Sequence, residues 1–335
     1  MIEIIRNVAT FIFVIGLLVF IHELGHFVVA KLNGMYVYQF VLGFGPKILK
    51  YQGEETTYAI SLFPLGGFVD LREDESDPTN ERSFASKKPI QRLVVIIAGV
   101  IMNFILAYVL IVGIFMTEPL PTNTIGELAT GMPAVESGLA VGDEIISING
   151  EKVKYWNDVT NNIAFSDDET FEVLVKRNDE EIAFSIQGIV SDGYMKIGIA
   201  PTFDKNISLA LEHGWRDFLD KSTMIFDGFV QLITRQIDPD KISGPVGIYQ
   251  QVAQVAETNN FKNVLYFTAL LSINLGIFNL LPFPALDGGR AVFILYEMIF
   301  RKPVEKEKEA FVHFVGMIFL FGLMGVLIVK DLGLF

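Results

Sequence analysis

A chain of 335 residues that is 51% hydrophobic, with a mean hydropathy of +0.43, has the composition of a membrane protein with a substantial soluble part, and it is too long for one compact bundle. The net charge of −13 argues against nucleic-acid binding. The absence of cysteine excludes disulfides and thiolate ligands, so any metal must be held by histidine and carboxylate.

Residues 1–30 form the first apolar segment, with Arg6 ahead of an uncharged run. Inside it lie His22-Glu23-Leu24-Gly25-His26. On a helix, H-E-x-x-H places two imidazoles at i and i+4 on one face, where both can bind one Zn²⁺. Glu23 lies about 100° around the helix, within reach of a water on the metal without being a ligand. A chance five-residue match is the plain alternative. Three polar side chains at membrane depth weigh against it, because an accidental set would cost on the order of several kcal/mol. The segment has the look of a secretory signal but lacks a small-x-small cleavage site before the motif. Cleavage would also discard a metal site, so the segment is read as retained.

The 31–92 stretch is read as a loop containing a β-hairpin. Residues 56–63 read as a strand, Pro64-Leu65-Gly66-Gly67 as a turn and residues 68–71 as a returning strand. An apolar hairpin in a polar loop makes sense if it dips into the membrane, where an exposed edge (57–63 or 68–71) would pair with an extended substrate. A hairpin that is only scaffold is the alternative. Residues 72–89, rich in charge, Asp, Ser and Pro, read as a solvated linker.

A second span follows at 93–116, then an external region, 117–203. Within it, a Gly-Leu at 138–139, the Gly142-Asp143 turn, alternating strand residues and the Asn149-Gly150 hairpin turn resemble a PDZ domain, bounded at about 122–203. Such a domain takes peptide tails at a strand edge, here expected at 194–199, or blocks large substrates by bulk. Residues 204–263 carry apolar positions at helical spacing (Leu211, Trp215, Phe218, Phe226, Ile233). They read as amphipathic helices at the membrane surface, with packing on the external domain as the other source of that periodicity.

The third span with its motif is placed at 264–289, a loop at 290–310, and the fourth span with the C-terminus at 311–335. A catalytic zinc site needs a third protein ligand, and the best candidate is Asp287 in Asn279-Leu-Leu-Pro282-Phe-Pro284-Ala-Leu-Asp287-Gly288-Gly289. Two prolines break the helix there, leaving irregular backbone that is tolerated at membrane depth only inside protein or around a cavity. Gly288 and Gly289 permit close approach and unusual dihedrals. An ordinary turn Asp is the alternative. His213, in the external region, and His313, without a local partner motif, are poorer ligands.

Eight Lys/Arg fall in 31–92 and five (Arg290, Arg301, Lys302, Lys306 and Lys308) in 283–310. The positive-inside rule puts both stretches on the cytoplasmic side, with the acidic 117–263 region and both termini outside.

These motifs together resemble the bacterial site-2 proteases, the zinc-dependent intramembrane metalloproteases of the RseP type with a single PDZ domain. The likeness rests on HELGH at 22–26, GFGP at 43–46, PLGGFV at 64–69, Met102-Asn103-Phe104 and NLLPFPALDGG at 279–289, and it covers nearly the whole chain. It implies Zn²⁺ on His22, His26 and Asp287 with Glu23 as base. It further implies substrate handling by Asn279, Pro282 and Pro284 and by a re-entrant β element that includes Gly66 and Gly67. Val100 departs from the pattern, since many relatives have proline there.

The expected fold is an α-helical polytopic membrane protein of about four spans, with a membrane-associated β-hairpin and one extracytoplasmic α+β PDZ-like domain. The expected location is a bacterial inner membrane. The expected substrates are single-span membrane proteins such as anti-sigma factors or signal-peptide remnants, cut among membrane lipid. The rival is a non-catalytic membrane adaptor with a structural metal site and a peptide-binding PDZ domain. Glu23 speaks against it, because a structural zinc site needs no general base.

Overall fold

The computed structural model describes residues 1–71, 81–166, 168–191, 193–236 and 242–334. In chain order its elements are α1 (Ile2–Leu32), β1 (Gln39–Gln52), β2 (Thr57–Asp70), α2 (Pro89–Phe115), β3 (Leu120–Leu128), α3 (Pro133–Glu136), β4 (Glu144–Ile148), β5 (Glu151–Lys152), α4 (Trp156–Ala164), β6 (Thr170–Arg177), β7 (Glu180–Gln187), β8 (Ile189–Ser191), β9 (Tyr194–Lys196), β10 (Ile199–Asp204), α5 (Ile207–Ile233), α6 (Pro245–Glu257), α7 (Phe261–Leu280), α8 (Asp287–Phe300) and α9 (Lys306–Asp331). Contacts divide the chain into two units, Met1–Ile114 with Gly214–Phe335, and Phe115–His213. Within the expected linker, residues 72–80 lie outside the described residues.

In the first unit, α1, α2, α7 and α9 are long and apolar enough to cross a membrane. The buried face of α1 is a stripe at every fourth residue: Val14, Leu18, His22, His26 and Ala30. A matching stripe on α2 runs Val95, Gly99, Asn103, Ala107 and Ile111. Small residues let the two backbones meet, as membrane helices do where no hydrophobic force drives them together. A Cβ on Gly25 would clash with the Ala98 carbonyl and lie 2.8 Å from Met102 Cγ. The apolar side chains left exposed on α9, from Phe311 to Val326, suit a lipid-facing helix.

The 31–92 region is a sheet, not a simple hairpin. Residues 39–42 pair with 57–60 in parallel and with 67–70 antiparallel, while 47–52 pair with 57–61. The order is therefore 47–52, 57–61, 39–42, 67–70. The expected strands 57–63 and 68–71 do not pair with each other, because 39–42 lies between them. Each long strand doubles back at glycines in the left-handed region: Gly43 (φ 84°) and Gly45 (φ 89°) in β1, and Gly66 (φ 91°) in β2. Residues 57–60 are paired on both sides, so the expected substrate edge at 57–63 is closed over that part; 67–70 is an edge, paired on one side only among the described residues. Phe40 of the sheet packs on Phe20 and Phe27 of α1 at centroid distances of 6.0 and 5.4 Å.

α5 and α6 fall within 204–263. Trp215 and Phe218 of α5 pack on Tyr108 and Phe104 of α2, and Gly244-Pro245 begins α6. Asp331, at the end of α9, accepts the Gly247 amide at 2.7 Å and so caps α6. The expected loop at 290–310 is a correction. Most of it is α8, a 14-residue helix that buries Ala291 and Ile294. Arg290 and Glu297 disguised it as a loop, yet Glu297 pairs with Arg92 of α2 at 2.6 Å.

The second unit is α+β. A six-stranded sheet runs β10-β3-β4-β6-β7, with β5 paired to β4. Alternation on β6 sends Phe171, Val173 and Val175 into a core with Ile125, Ile145, Ile148 and Ile186. Each such side chain stabilises by about 1.5–3 kcal/mol. The Asn149-Gly150 turn has positive φ at both residues (50° and 81°) and closes β4 onto β5.

Candidate metal centre

The α1 stripe carries His22 and His26 with their Nε2 atoms 3.2 Å apart, and both side chains are buried with Glu23 beside them. Nothing in the local sequence directs a carboxylate to them; the break after α7 does. α7 stops at Leu280, Pro282 and Pro284 prevent its continuation, and α8 begins at Asp287. This turn brings Asp287 Oδ2 to 3.0 Å from His22 Nε2 and 3.3 Å from His26 Nε2.

The turn is tight because of its glycines. Gly288 lies against the carbonyls of Leu280 and Leu281, and Gly289 against that of Phe283, at distances that leave no room for a Cβ. The unusual dihedral expected at these glycines falls instead on Ala285, with φ 77°. Its amide is held by His313, whose Nδ1 accepts it at 2.8 Å. His313 is thus a brace for the turn and not a member of the ligand group.

α2 supplies the back wall. His26 Nδ1 donates to the Val95 carbonyl at 2.8 Å, and Asn103 meets His22 Nδ1 through its amide at 3.2 Å. Between them, at Gly99, α2 lies against both rings.

A cavity of about 730 Å³ opens on this cluster. His22, Glu23, His26 and Asp287 line it together with Gly66, Gly67 and Asn279. Gly67 passes over Glu23; a Cβ there would stand 3.1 Å from Glu23 Cγ and 2.8 Å from the Val41 carbonyl. Pro282 and Pro284 are not in the lining. Pro282 borders an apolar groove with Phe226 and Ile277, and Pro284 packs on Gly316 of α9. Sequence reasoning missed Val95, Gly99 and Arg290. Arg290 stands one turn beyond Asp287 and lines the cavity, although in the sequence it reads only as a loop charge.

The donor set fits zinc. His22, His26 and Asp287 are the three-residue ligand group among the described residues. Their donor atoms are 3.0–3.3 Å apart, and ligands at 2.0–2.1 Å in a tetrahedron stand about 3.3–3.4 Å from one another. Three protein donors facing a cavity leave the fourth position to water or substrate, which is the pattern of a catalytic site and not of a structural one.

Comparison with known proteins agrees with this chemistry. Peptidase family M50 matches residues 10–323. The regulator of sigma-W protease RasP of Bacillus subtilis is 34% identical over 418 residues, which cover 98% of this chain and 98% of the relative. The zinc metalloprotease RasP of Geobacillus kaustophilus is 31% identical over 417 residues, 99% of each chain. Among solved structures, the PDZ domain of the SdrC-like protein from Listeria monocytogenes aligns with 24% of this chain and 85% of its own length, at 23% identity and a TM-score of 0.22.

Proposed function

The chain belongs to peptidase family M50, the site-2 proteases, and is a multi-pass membrane zinc metalloprotease; from that premise we propose that it cuts single-span membrane proteins within their membrane segments. His22, His26 and Asp287 hold the zinc, which when bound lowers the pKa of water and polarises a carbonyl. Glu23 takes the proton of the attacking water and returns one to the leaving amine. The observation that carries this reading is the meeting of three donors 3.0–3.3 Å apart, one of them from the far end of the chain, in a cavity shared with Glu23.

The substrate lies as an extended strand along 67–70. A helix hides its scissile carbonyl, so cleavage needs unwinding, and the open sheet edge replaces the lost hydrogen bonds in a low-dielectric site. Asn279 lines the same cavity, which supports a part for it in holding the substrate backbone. The Lys/Arg-rich 31–92 and 283–310 segments support a site near the cytoplasmic face, with Phe115–His213 and both termini outside. The name of the Bacillus subtilis relative refers to sigma-W, which fits an anti-sigma factor as one substrate. In the second unit, a groove of about 700 Å³ between Trp156, Val159 and Ile163 of α4 and the 194–200 segment is the place for a peptide tail.

The deciding experiment pairs zinc content with cleavage of a model single-span substrate in detergent or vesicles. The wild-type chain holds about one zinc and cuts. Glu23→Gln keeps the metal and does not cut, while Asp287→Ala loses both. Substantial cleavage by folded Glu23→Gln removes Glu23 from its role, and unchanged metal affinity in Asp287→Ala means that another group is the third ligand.

A further inference from the structure

Asn103 is fully buried in α2, eight residues beyond Val95 and on the same face. Its carboxamide nitrogen Nδ2 stands 3.2 Å from His22 Nδ1. Its Oδ1 is buried with no hydrogen-bond partner among the described residues, a costly arrangement unless a donor is found. Ser272 of α7 donates to the Asn103 carbonyl at 2.7 Å, so its backbone is tied from the far side as well. A polar side chain with these surroundings is not there to fill space; leucine has the same branched skeleton and would not carry the cost.

The other histidine shows what the position is for. His26 Nδ1 faces the Val95 carbonyl at 2.8 Å, and a carbonyl only accepts, so that nitrogen carries the proton and Nε2 is left with its lone pair free for a ligand bond. His22 presents Nε2 to the same centre, 3.0 Å from Asp287 Oδ2. Its Nδ1 must therefore carry a proton too, and it needs an acceptor. The two ends of a carboxamide fill nearly the same space, so a half-turn brings Oδ1 to Nδ1 without disturbing the packing. It also gives the orphaned oxygen its donor.

We infer that Asn103 is a positioning residue of the metal centre, accepting the Nδ1 proton of His22 through Oδ1 and so fixing that ring's tautomer and direction. α2 then serves both ligands from one face, with the Val95 carbonyl on His26, the Asn103 amide on His22, and Gly99 midway to let the helix approach. This rests on the reading of His22, His26 and Asp287 as a metal centre. Hydrogen-bond partners of this kind are worth roughly tenfold to a hundredfold in metal affinity.

The test measures zinc affinity of the full-length chain by competition with a chromogenic chelator. Asn103→Leu, matched in branching and without an acceptor, weakens zinc by roughly tenfold or more, with the fold kept as judged by its melting temperature in excess chelator. Asn103→Asp, which accepts but cannot donate, restores affinity to the wild-type level or above. In zinc-loaded wild-type protein labelled with 15N-histidine, the His22 Nδ1 resonance is that of a protonated nitrogen whose hydrogen exchanges slowly; in Asn103→Leu the exchange is fast. Wild-type affinity in the leucine variant, or an unprotonated His22 Nδ1 in the loaded wild type, overturns the assignment. The NMR measurement decides the matter if the aspartate variant does not fold. A wild-type chain that binds no zinc fails the metal-centre reading itself, a different result from wild-type binding that Asn103→Leu leaves untouched.

Discussion

Gly99 stands against His26 with no room for another atom: a Cβ on it would lie 2.5 Å from His26 Nε2 and 2.8 Å from His22 Cε1. Those are contacts with the ligand atoms' own rings, which are wedged between α1 and α2 and cannot swing aside. Alanine at a helix interior is favoured over glycine by about 1 kcal/mol, so Gly99→Ala should leave the helix intact. It should nevertheless displace the rings and lose zinc by roughly tenfold or more. Metal analysis of the purified variant checks this; full zinc occupancy with normal cleavage would mean that the rings have more freedom than the packing allows.

Gly67 makes the corresponding prediction on the substrate side. A methyl group there meets Glu23 Cγ, Val19 Cγ1 and the Val41 carbonyl at 2.8–3.1 Å. None of these can yield cheaply, so the 67–70 strand must move off Glu23. Gly67→Ala should keep its zinc and lose roughly a hundredfold in kcat, since misplacement of about 1 Å costs that much. Zinc loss in step with activity would instead place the damage at the ligands.

The centre was legible because its residues break local rules. Two histidines and a glutamate in an uncharged helix, and two prolines ahead of an aspartate at the end of another, are conflicts that a membrane segment tolerates only for function. The partners that orient the site break no rule. Val95 acts through its carbonyl and Gly99 through a missing side chain, and neither leaves a mark in the pattern. β1 was hidden for another reason: Gly43, Gly45, Lys47 and Lys50 interrupt its apolar pattern, although the positive φ of both glycines is what folds the strand back beside 57–61. α8 was hidden by Arg290 and Glu297, charges that the helix spends on the cavity and on Arg92.

In the second unit, Arg177 holds Asp143 through both carboxylate oxygens at 2.6 and 2.7 Å and also donates to the Gly138 carbonyl at 2.9 Å. Burial pushes the Asp143 carboxyl up, but the Arg177 guanidinium and the Ala140 amide outweigh it and hold the group below the usual carboxylate value. A depressed folded value stabilises above the unfolded carboxylate pKa of about 3.9 and loses that contribution as pH falls through the folded value. Hydrogen exchange across residues 138–143 should therefore be insensitive to this pair from pH 7 to 5, after correction for intrinsic rates, and should accelerate below about pH 4. Asp143→Asn should already show fast exchange at pH 7. Equal protection in the two proteins would mean that the ion pair does not hold the loop.

The sheet edge gives the last prediction, because its order separates two strands that sequence alone treats alike. Residues 57–60 have neighbouring strands on both sides, 39–42 and 47–52, whereas among the described residues 67–70 pairs as a strand with 39–42 only. Proline cannot donate to a ladder. Within 67–70, at the alternate positions whose amide faces the substrate, it should impair cleavage while zinc and melting temperature stay near wild type; where the amide faces 39–42 it should lower the melting temperature. Within 57–60, proline should instead destabilise the protein itself, because every amide there faces a partner strand. Helix-breaking residues in the substrate's span should restore part of the rate lost at 67–70, since less unwinding is then asked of the edge. They should not rescue the 57–60 variants. A scan in which all positions of 67–70 tolerate proline would make the edge a wall of the cavity and leave the substrate backbone to Asn279.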